Sequence, residues 1–331
     1  MYRAAVIGCG KMGSEFADDP RQKNIYAHAH AYALCERTQL VAVCDADAGR
    51  LTRCAERWKV ERAYRDAREL LDAEHPELVS ICTPDATHYE LIRAALESPG
   101  VYGVLAEKPL ALNLAQADEL VALAHARGIV LAVNYSRRYS NNHARLRDRI
   151  QSGVLGQLET VHGYYTKGTL HNGTHWFDLL RYLAGEVTRV WGVNRRGEKC
   201  DDPTLDATLE LEHGAFATLR GLDANKYTLF EMDVVGTAGR AQILDSGQTI
   251  EYACVAPSEF YSNYQMLTHT DTDAAGMGDV TLHAIHDLVE CVETGRSPRC
   301  SAQDARAALA IGTAILESAQ LGEPVDVSAG R

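Results

Sequence analysis

Short, almost uninterrupted apolar runs punctuate the first 135 residues, at 3–7, 40–44, 78–82, 103–106 and 129–133. A run without polar alternation suits a strand covered on both faces, so each predicts a strand of a buried parallel sheet. Between them, residues 89–97 and 114–126 repeat apolar side chains at helical spacing. Strand and helix alternating in this way predict an α/β Rossmann domain over residues 1–135, a doubly wound parallel sheet with right-handed crossovers.

From residue 136 the texture changes. Apolar runs at 158–166, 189–195, 205–211, 216–222, 230–235 and 241–244 follow one another with little helix between them. Leu205-Asp206-Ala207-Thr208-Leu209-Glu210-Leu211 alternates with period two, as a sheet with one covered face requires. Glu212-His213-Gly214 and Gly236-Thr237-Ala238-Gly239 read as hairpin turns. Two long helical patterns, 279–294 and 302–321, close the chain. Residues 136–331 are therefore expected to form a second, α+β domain built on a large, mostly antiparallel open sheet.

Composition narrows the function. The formal net charge of −12 over 331 residues disfavours a nucleic-acid partner. The arginines from Arg137 to Arg149 are mixed with Asp148 and read as a solvated helix face. Apolar runs fall short of a membrane span, and the N-terminus lacks the form of a signal peptide. The nine cysteines show no metal-ribbon or Cys-x-x-Cys spacing. They read as small buried residues, and the protein is expected in the cytoplasm.

The first strand runs into Gly8-Cys9-Gly10-Lys11-Met12-Gly13. In such a loop one glycine makes the turn, the next admits a pyrophosphate, and the third lets helix and strand pack closely. Asp45 ends the second strand, where a carboxylate binds the adenosine ribose hydroxyls. That carboxylate favours NAD, since it repels a 2′-phosphate; Arg50 nearby keeps NADP possible. Asp45 follows Gly13 by 32 residues, against the usual ~20. The excess falls in the polar stretch 14–24, either a loop over the ligands or a surface excursion.

The fourth strand ends in Glu107-Lys108-Pro109, and strand ends of this sheet face the ligand crevice. Alone, Lys108 would pass for a surface residue before a helix. Together with the glycine loop and Cys82-Thr83-Pro84-Asp85-Ala86-Thr87-His88, it resembles the Gfo/Idh/MocA oxidoreductases, the glucose–fructose oxidoreductase and inositol dehydrogenase group. Gly173-Thr174-His175-Trp176-Phe177-Asp178, Gly236-Thr237-Ala238-Gly239-Arg240 and the closing stretch 304–327 extend the resemblance over essentially the whole chain.

The resemblance implies that Gly8, Gly10, Lys11, Met12, Gly13, Asp45, Thr83, Pro84, Glu107 and Lys108 hold the dinucleotide, with His88 near the nicotinamide. It implies Lys108 as the residue orienting substrate, His175 as general acid/base and Asp178 as its partner one helical turn on. Tyr135, Arg138, Tyr165, His171 and Asn172 are expected at the substrate, with Arg137, Tyr139, Tyr164, Lys167 and Trp176 as further candidates. His171 departs from the family, which usually has Asp or Asn there. Either Asn172 takes over the contact or His171 adds a second imidazole. A metal held by His171, His175 and Asp178 is disfavoured by Gly173 within the helix, and none is expected.

The resulting expectation is an NAD(P)-dependent dehydrogenase or reductase acting on a secondary hydroxyl or ketone of a sugar, cyclitol or nucleotide sugar. Its partner would be a small carbohydrate-like molecule, and its assembly a homodimer or homotetramer through the second domain's sheet. Two alternatives stand beside it. One is a glycoside-cleaving or eliminating enzyme that keeps NAD bound and oxidises transiently. The other is a non-catalytic dinucleotide or metabolite sensor.

Overall fold

The computed structural model describes residues 1–274 and 276–327. The chain folds as two compact units, each assembled from two segments. The first comprises Met1–Tyr139 and Gly278–Arg306, the second Ser140–Met277 and Ala307–Arg331. The first thus takes in a late segment, including a helix, that lies far beyond residue 135.

In the first unit, strands β1 (Tyr2–Ile7), β2 (Thr38–Cys44), β3 (Arg62–Tyr64), β4 (Leu78–Ile81), β5 (Gly103–Ala106) and β6 (Val130–Val133) form one sheet in the order β3-β2-β1-β4-β5-β6. Every pairing is parallel. Helices α1 (His28–Leu34), α2 (Ala48–Trp58), α3 (Ala67–Glu74), α4 (His88–Glu97) and α5 (Leu114–Arg127) make the crossovers. Strands β4 and β5 are buried throughout, as their sequence demands. The strand order reverses between β1 and β4, the switch point at which such sheets open a ligand crevice at their carboxyl edge. Polar caps set the helix starts: Asp47 accepts from Arg50 N (2.8 Å) and Asn113 from Gln116 N (3.0 Å).

In the second unit, α6 (Asn141–Gln151) leads to β7 (Leu158–Tyr165) and α7 (Gly173–Ala184), then β8 (Val187–Val193) to β14. These last are β9 (Asp206–Leu211), β10 (Phe216–Gly221), β11 (Glu231–Gly236), β12 (Gly239–Leu244), β13 (Thr249–Pro257) and β14 (Gln265–Asp273). After them come α8 (Val280–Thr294), which belongs to the first unit, α9 (Ala302–Leu321) and the short β15 (Val325–Asp326). The nine strands are ordered β14-β13-β12-β11-β7-β10-β9-β8-β15, and β7–β10 is the parallel pair in an otherwise antiparallel sheet. Gly163 on β7 gives α7 its seat, because any side chain there would overlap the Trp176 indole. Trp176 is fully buried and donates from Nε1 to Glu231 O (3.1 Å).

The expected α/β architecture is the one observed, with four strands the sequence reading did not contain: β3, β13, β14 and the two-residue β15. Strand β3 is three residues at a sheet edge with exposed Arg62 and Ala63. Strands β13 and β14 extend the second sheet beyond the expected end at residue 244.

Candidate active site

At the carboxyl edge of the first sheet, Gly8 adopts φ 97°, and an added Cβ would lie 2.6 Å from Cys82 C. A Cβ on Gly13 would overlap the Gly8 carbonyl oxygen. Around Gly10 the same construction meets open space. This pattern suits a dinucleotide: two glycines close the turn, and the third leaves the backbone bare for a pyrophosphate to approach. Asp45 sits just past β2, and its Oδ2 accepts from Cys9 N at 2.7 Å. Its Oδ1 accepts from Asp47 N at 2.8 Å, so the carboxylate is fixed to the glycine loop it is expected to serve.

Two strands along, Glu107 and Lys108 follow β5, and Lys108 precedes a cis peptide to Pro109. Lys108 is partly exposed; Glu107 points into a polar core. Its Oε1 lies 3.1 Å from His28 Nε2 and accepts from Asn134 Nδ2 at 2.7 Å. His28 Nδ1 is 2.9 Å from Ser80 Oγ, which is 3.0 Å from the Tyr32 hydroxyl. His28, Ser80 and Tyr32 are fully buried. Burial pushes the Glu107 carboxyl up, but His28, Asn134 and the Lys108 charge outweigh it, and the group lies below the ordinary glutamate range. A buried carboxylate with this support anchors the chain on which Lys108 is carried.

None of His28, Ser80, Tyr32 or Asn134 was singled out from the sequence. Each is unremarkable in its own segment, and only the sheet order brings α1, β4 and the end of β6 around Glu107.

The expected place of His88 is corrected. The ring is fully buried, with Nδ1 2.6 Å from Pro109 O and Nε2 2.8 Å from Thr83 O. It ties the Thr83-Pro84 loop to the Lys108–Pro109 turn and leaves no edge for a ligand. Thr83 and Pro84 themselves are accessible. Arg138, expected at the substrate, is buried and pairs with Asp304 (3.2 Å) and Arg299 O (3.2 Å) inside the first unit. Tyr135 is likewise buried.

In the second unit, His175 lies in the first turn of α7 and is partly exposed; Asp178, one turn on, is buried. A wide turn, Gly168–Asn172, leads into this helix. Asp202 holds it: Oδ1 accepts from Leu170 N (2.7 Å) and Oδ2 from His171 N (2.8 Å). Burial pushes the Asp202 carboxyl above its ordinary range despite these amides. The His171 side chain is exposed, and Asn172 Nδ2 donates to Thr166 O at 2.8 Å. Tyr165 is corrected: it is fully buried, and its hydroxyl donates to Leu205 O (2.8 Å) and lies 3.0 Å from Thr169 Oγ1. It packs the turn from behind. Among the described residues, no group of three or more His, Cys, Asp and Glu side chains converges as a metal site requires.

Comparison with known proteins gives the family. The oxidoreductase family with an NAD-binding Rossmann fold matches residues 2–135, and its C-terminal alpha/beta domain matches residues 166–327. The chain belongs to the Gfo/Idh/MocA family of NAD-binding oxidoreductases. It is 24% identical to a myo-inositol 2-dehydrogenase of Thermotoga maritima, over 96% of each chain. It is 25% identical to a D-apiose dehydrogenase of Paraburkholderia graminis, over 98% of this chain and 90% of that one. Among solved structures, a levoglucosan dehydrogenase in complex with NADH and levoglucosan shares the fold, with TM-score 0.82 at 19% identity over 99% of each chain.

Proposed function

We propose that this chain is an NAD-dependent dehydrogenase that oxidises a secondary hydroxyl of a sugar, cyclitol or nucleotide-linked sugar, or reduces the corresponding ketone. The observation that carries the reading is Lys108, a partly exposed ammonium at the end of β5 whose neighbour Glu107 is locked in a buried polar network. The inositol and apiose relatives support the substrate class.

In this reading, amides of the loop from Gly8 to Gly13 bind the pyrophosphate, with Lys11 and Met12 on its open side. Asp45 binds the ribose hydroxyls, and Thr83 and Pro84 line the crevice. A nicotinamide held there would supply the hydride acceptor for the carbinol carbon. Lys108 donates a hydrogen bond to the reacting oxygen and stabilises its developing negative charge. His175 removes the hydroxyl proton, Asp178 orients it, and Asn172 and His171 contact the sugar. His88 and Tyr165 act indirectly, by holding the segments that carry Thr83 and His175.

The same reading places the domain boundary near residue 136 and the protein in the cytoplasm, in keeping with nine free cysteines. It also makes the nine-stranded sheet the surface on which two copies associate. Tyr164, Trp191, Phe216 and Val255 stand at least two-fifths exposed on its strands. Analytical ultracentrifugation tests that point.

The catalytic assignment is tested by His175→Asn, assayed by NADH formation on inositols, aldoses and glycosides. Turnover should fall about 10²- to 10⁴-fold with NADH affinity unchanged. Equal turnover removes His175 from the mechanism.

A further inference from the structure

The chain leaves α1's axis after Gly13 and rejoins it at His28. His28 N donates to Met12 O (2.8 Å) and Ala29 N to Gly13 O (3.0 Å), so the helix's first hydrogen bonds are made across the intervening residues. The extra polar stretch is therefore an insertion at the start of α1, from 14 to 27, and it cannot extend the helix. It lies along α2 instead. Trp58 Nε1 donates to Ser14 Oγ at 2.9 Å, and Arg57 bonds Asp18 and Ala17 O. Arg53 Nη2 is 3.1 Å from Glu15 Oε1, and Arg50 Nε is 3.7 Å from the same oxygen.

Arg50, Arg53 and Arg57 fall on one face of α2, and α2 begins three residues after Asp45. Asp45 is the carboxylate expected on the ribose 2′-hydroxyl, the oxygen that carries the extra phosphate of NADP. An arginine close after such a strand end is what accommodates a 2′-phosphate, by charge and by paired hydrogen bonds. This chain has the arginines, but Glu15 is paired with the two on the first turns of α2, Arg50 and Arg53, while Arg65, on the neighbouring strand end, donates to Ala46 O at 3.0 Å. Asp47, the other nearby carboxylate, caps α2 through the Arg50 amide.

We propose that Glu15 is a second coenzyme-selecting carboxylate, which holds Arg50 and Arg53 away from a 2′-phosphate and adds its own charge against one. The insertion thereby lets an NAD enzyme keep two arginines beside its adenosine site. A segment merely pinned to the surface by ion pairs would treat Glu15 and Asp18 alike, which makes the two readings separable.

The inference rests on Asp45 binding the adenosine ribose, and the test is built to fail separately from that premise. Protein stripped of co-purified nucleotide is titrated with NADH and with NADPH at low ionic strength, followed by fluorescence. Glu15→Gln should tighten NADPH about two- to five-fold and leave NADH near its original value, which also reports an intact fold. Asp18→Asn should move neither. Glu15→Gln combined with Arg50→Ala should return NADPH to its weak binding. An unchanged NADPH to NADH ratio in Glu15→Gln, or an equal shift in Asp18→Asn, overturns the proposal while leaving the NAD reading intact. Failure of the unaltered protein to bind either nucleotide overturns both.

Discussion

His28→Leu isolates the buried network behind Lys108. The substitution keeps roughly the side chain's volume but strips Glu107 of its contact with His28, leaving the Asn134 amide and the Lys108 charge, and strips Ser80 of its bond to Nδ1. Breaking a buried pair by removing one partner costs about 3–5 kcal/mol, because a charge is left in low dielectric. Glu107 can escape by taking a proton, and that sets a ceiling. From the ordinary glutamate value of 4.5, protonation at pH 7 costs about 1.36 kcal/mol per unit, roughly 3.4 kcal/mol. The lost Ser80 bond adds about 1 kcal/mol.

The sign follows from linkage. In the unaltered protein the Glu107 pKa is depressed, so its contribution is present above the unfolded value and is lost as pH falls through the folded one. With His28 gone, the folded carboxyl titrates higher than the unfolded one, and the variant loses stability as pH rises. The stability difference from urea denaturation should therefore be about 1 kcal/mol near pH 4.5 and climb to about 4 near pH 7. His28→Leu with Glu107→Gln should flatten that slope. A penalty independent of pH, or one unchanged by the second substitution, would refute a charged Glu107 held by His28.

Three further outcomes follow from the crevice. Asp45→Ala should weaken NADH about tenfold more than NADPH, read in the same titration; an unchanged ratio would mean that the ribose is held elsewhere. Gly13→Ala should cost at least about 3 kcal/mol or prevent folding, because its Cβ overlaps Gly8 O. Gly10→Ala, with open space around its Cβ, should melt like the parent and yet bind dinucleotide poorly. Equal melting of the two glycine variants would contradict the division of labour within the loop.

The elements legible in the sequence are those whose burial writes itself into composition. Strands β1, β4 and β5 are apolar on both faces because both faces are covered; the glycine loop follows β1 directly, as Asp45 follows β2. Strand β14, Gln-Met-Leu-Thr-His-Thr-Asp-Thr-Asp, is a largely exposed edge whose residues owe nothing to a core, so periodicity passes over it. The polar scaffolds were illegible for another reason. His28 reaches Glu107 and Asp202 reaches the His171 amide across 79 and 31 residues, and no local spacing encodes those meetings. The same holds for the burial of Tyr165 and His88, which only the packed neighbours reveal.

The first unit's dependence on a late segment has a consequence for synthesis. Helix α8 packs against β5 and α1, and Leu288 fills the space beside Gly103 at the start of the strand that carries Lys108. At roughly 5–20 residues per second, the ribosome needs on the order of ten seconds or more beyond Tyr139 before that helix exists. Until then the nascent sheet has an apolar flank open to water, and the strand that leads to Lys108 waits for a helix encoded far downstream of it.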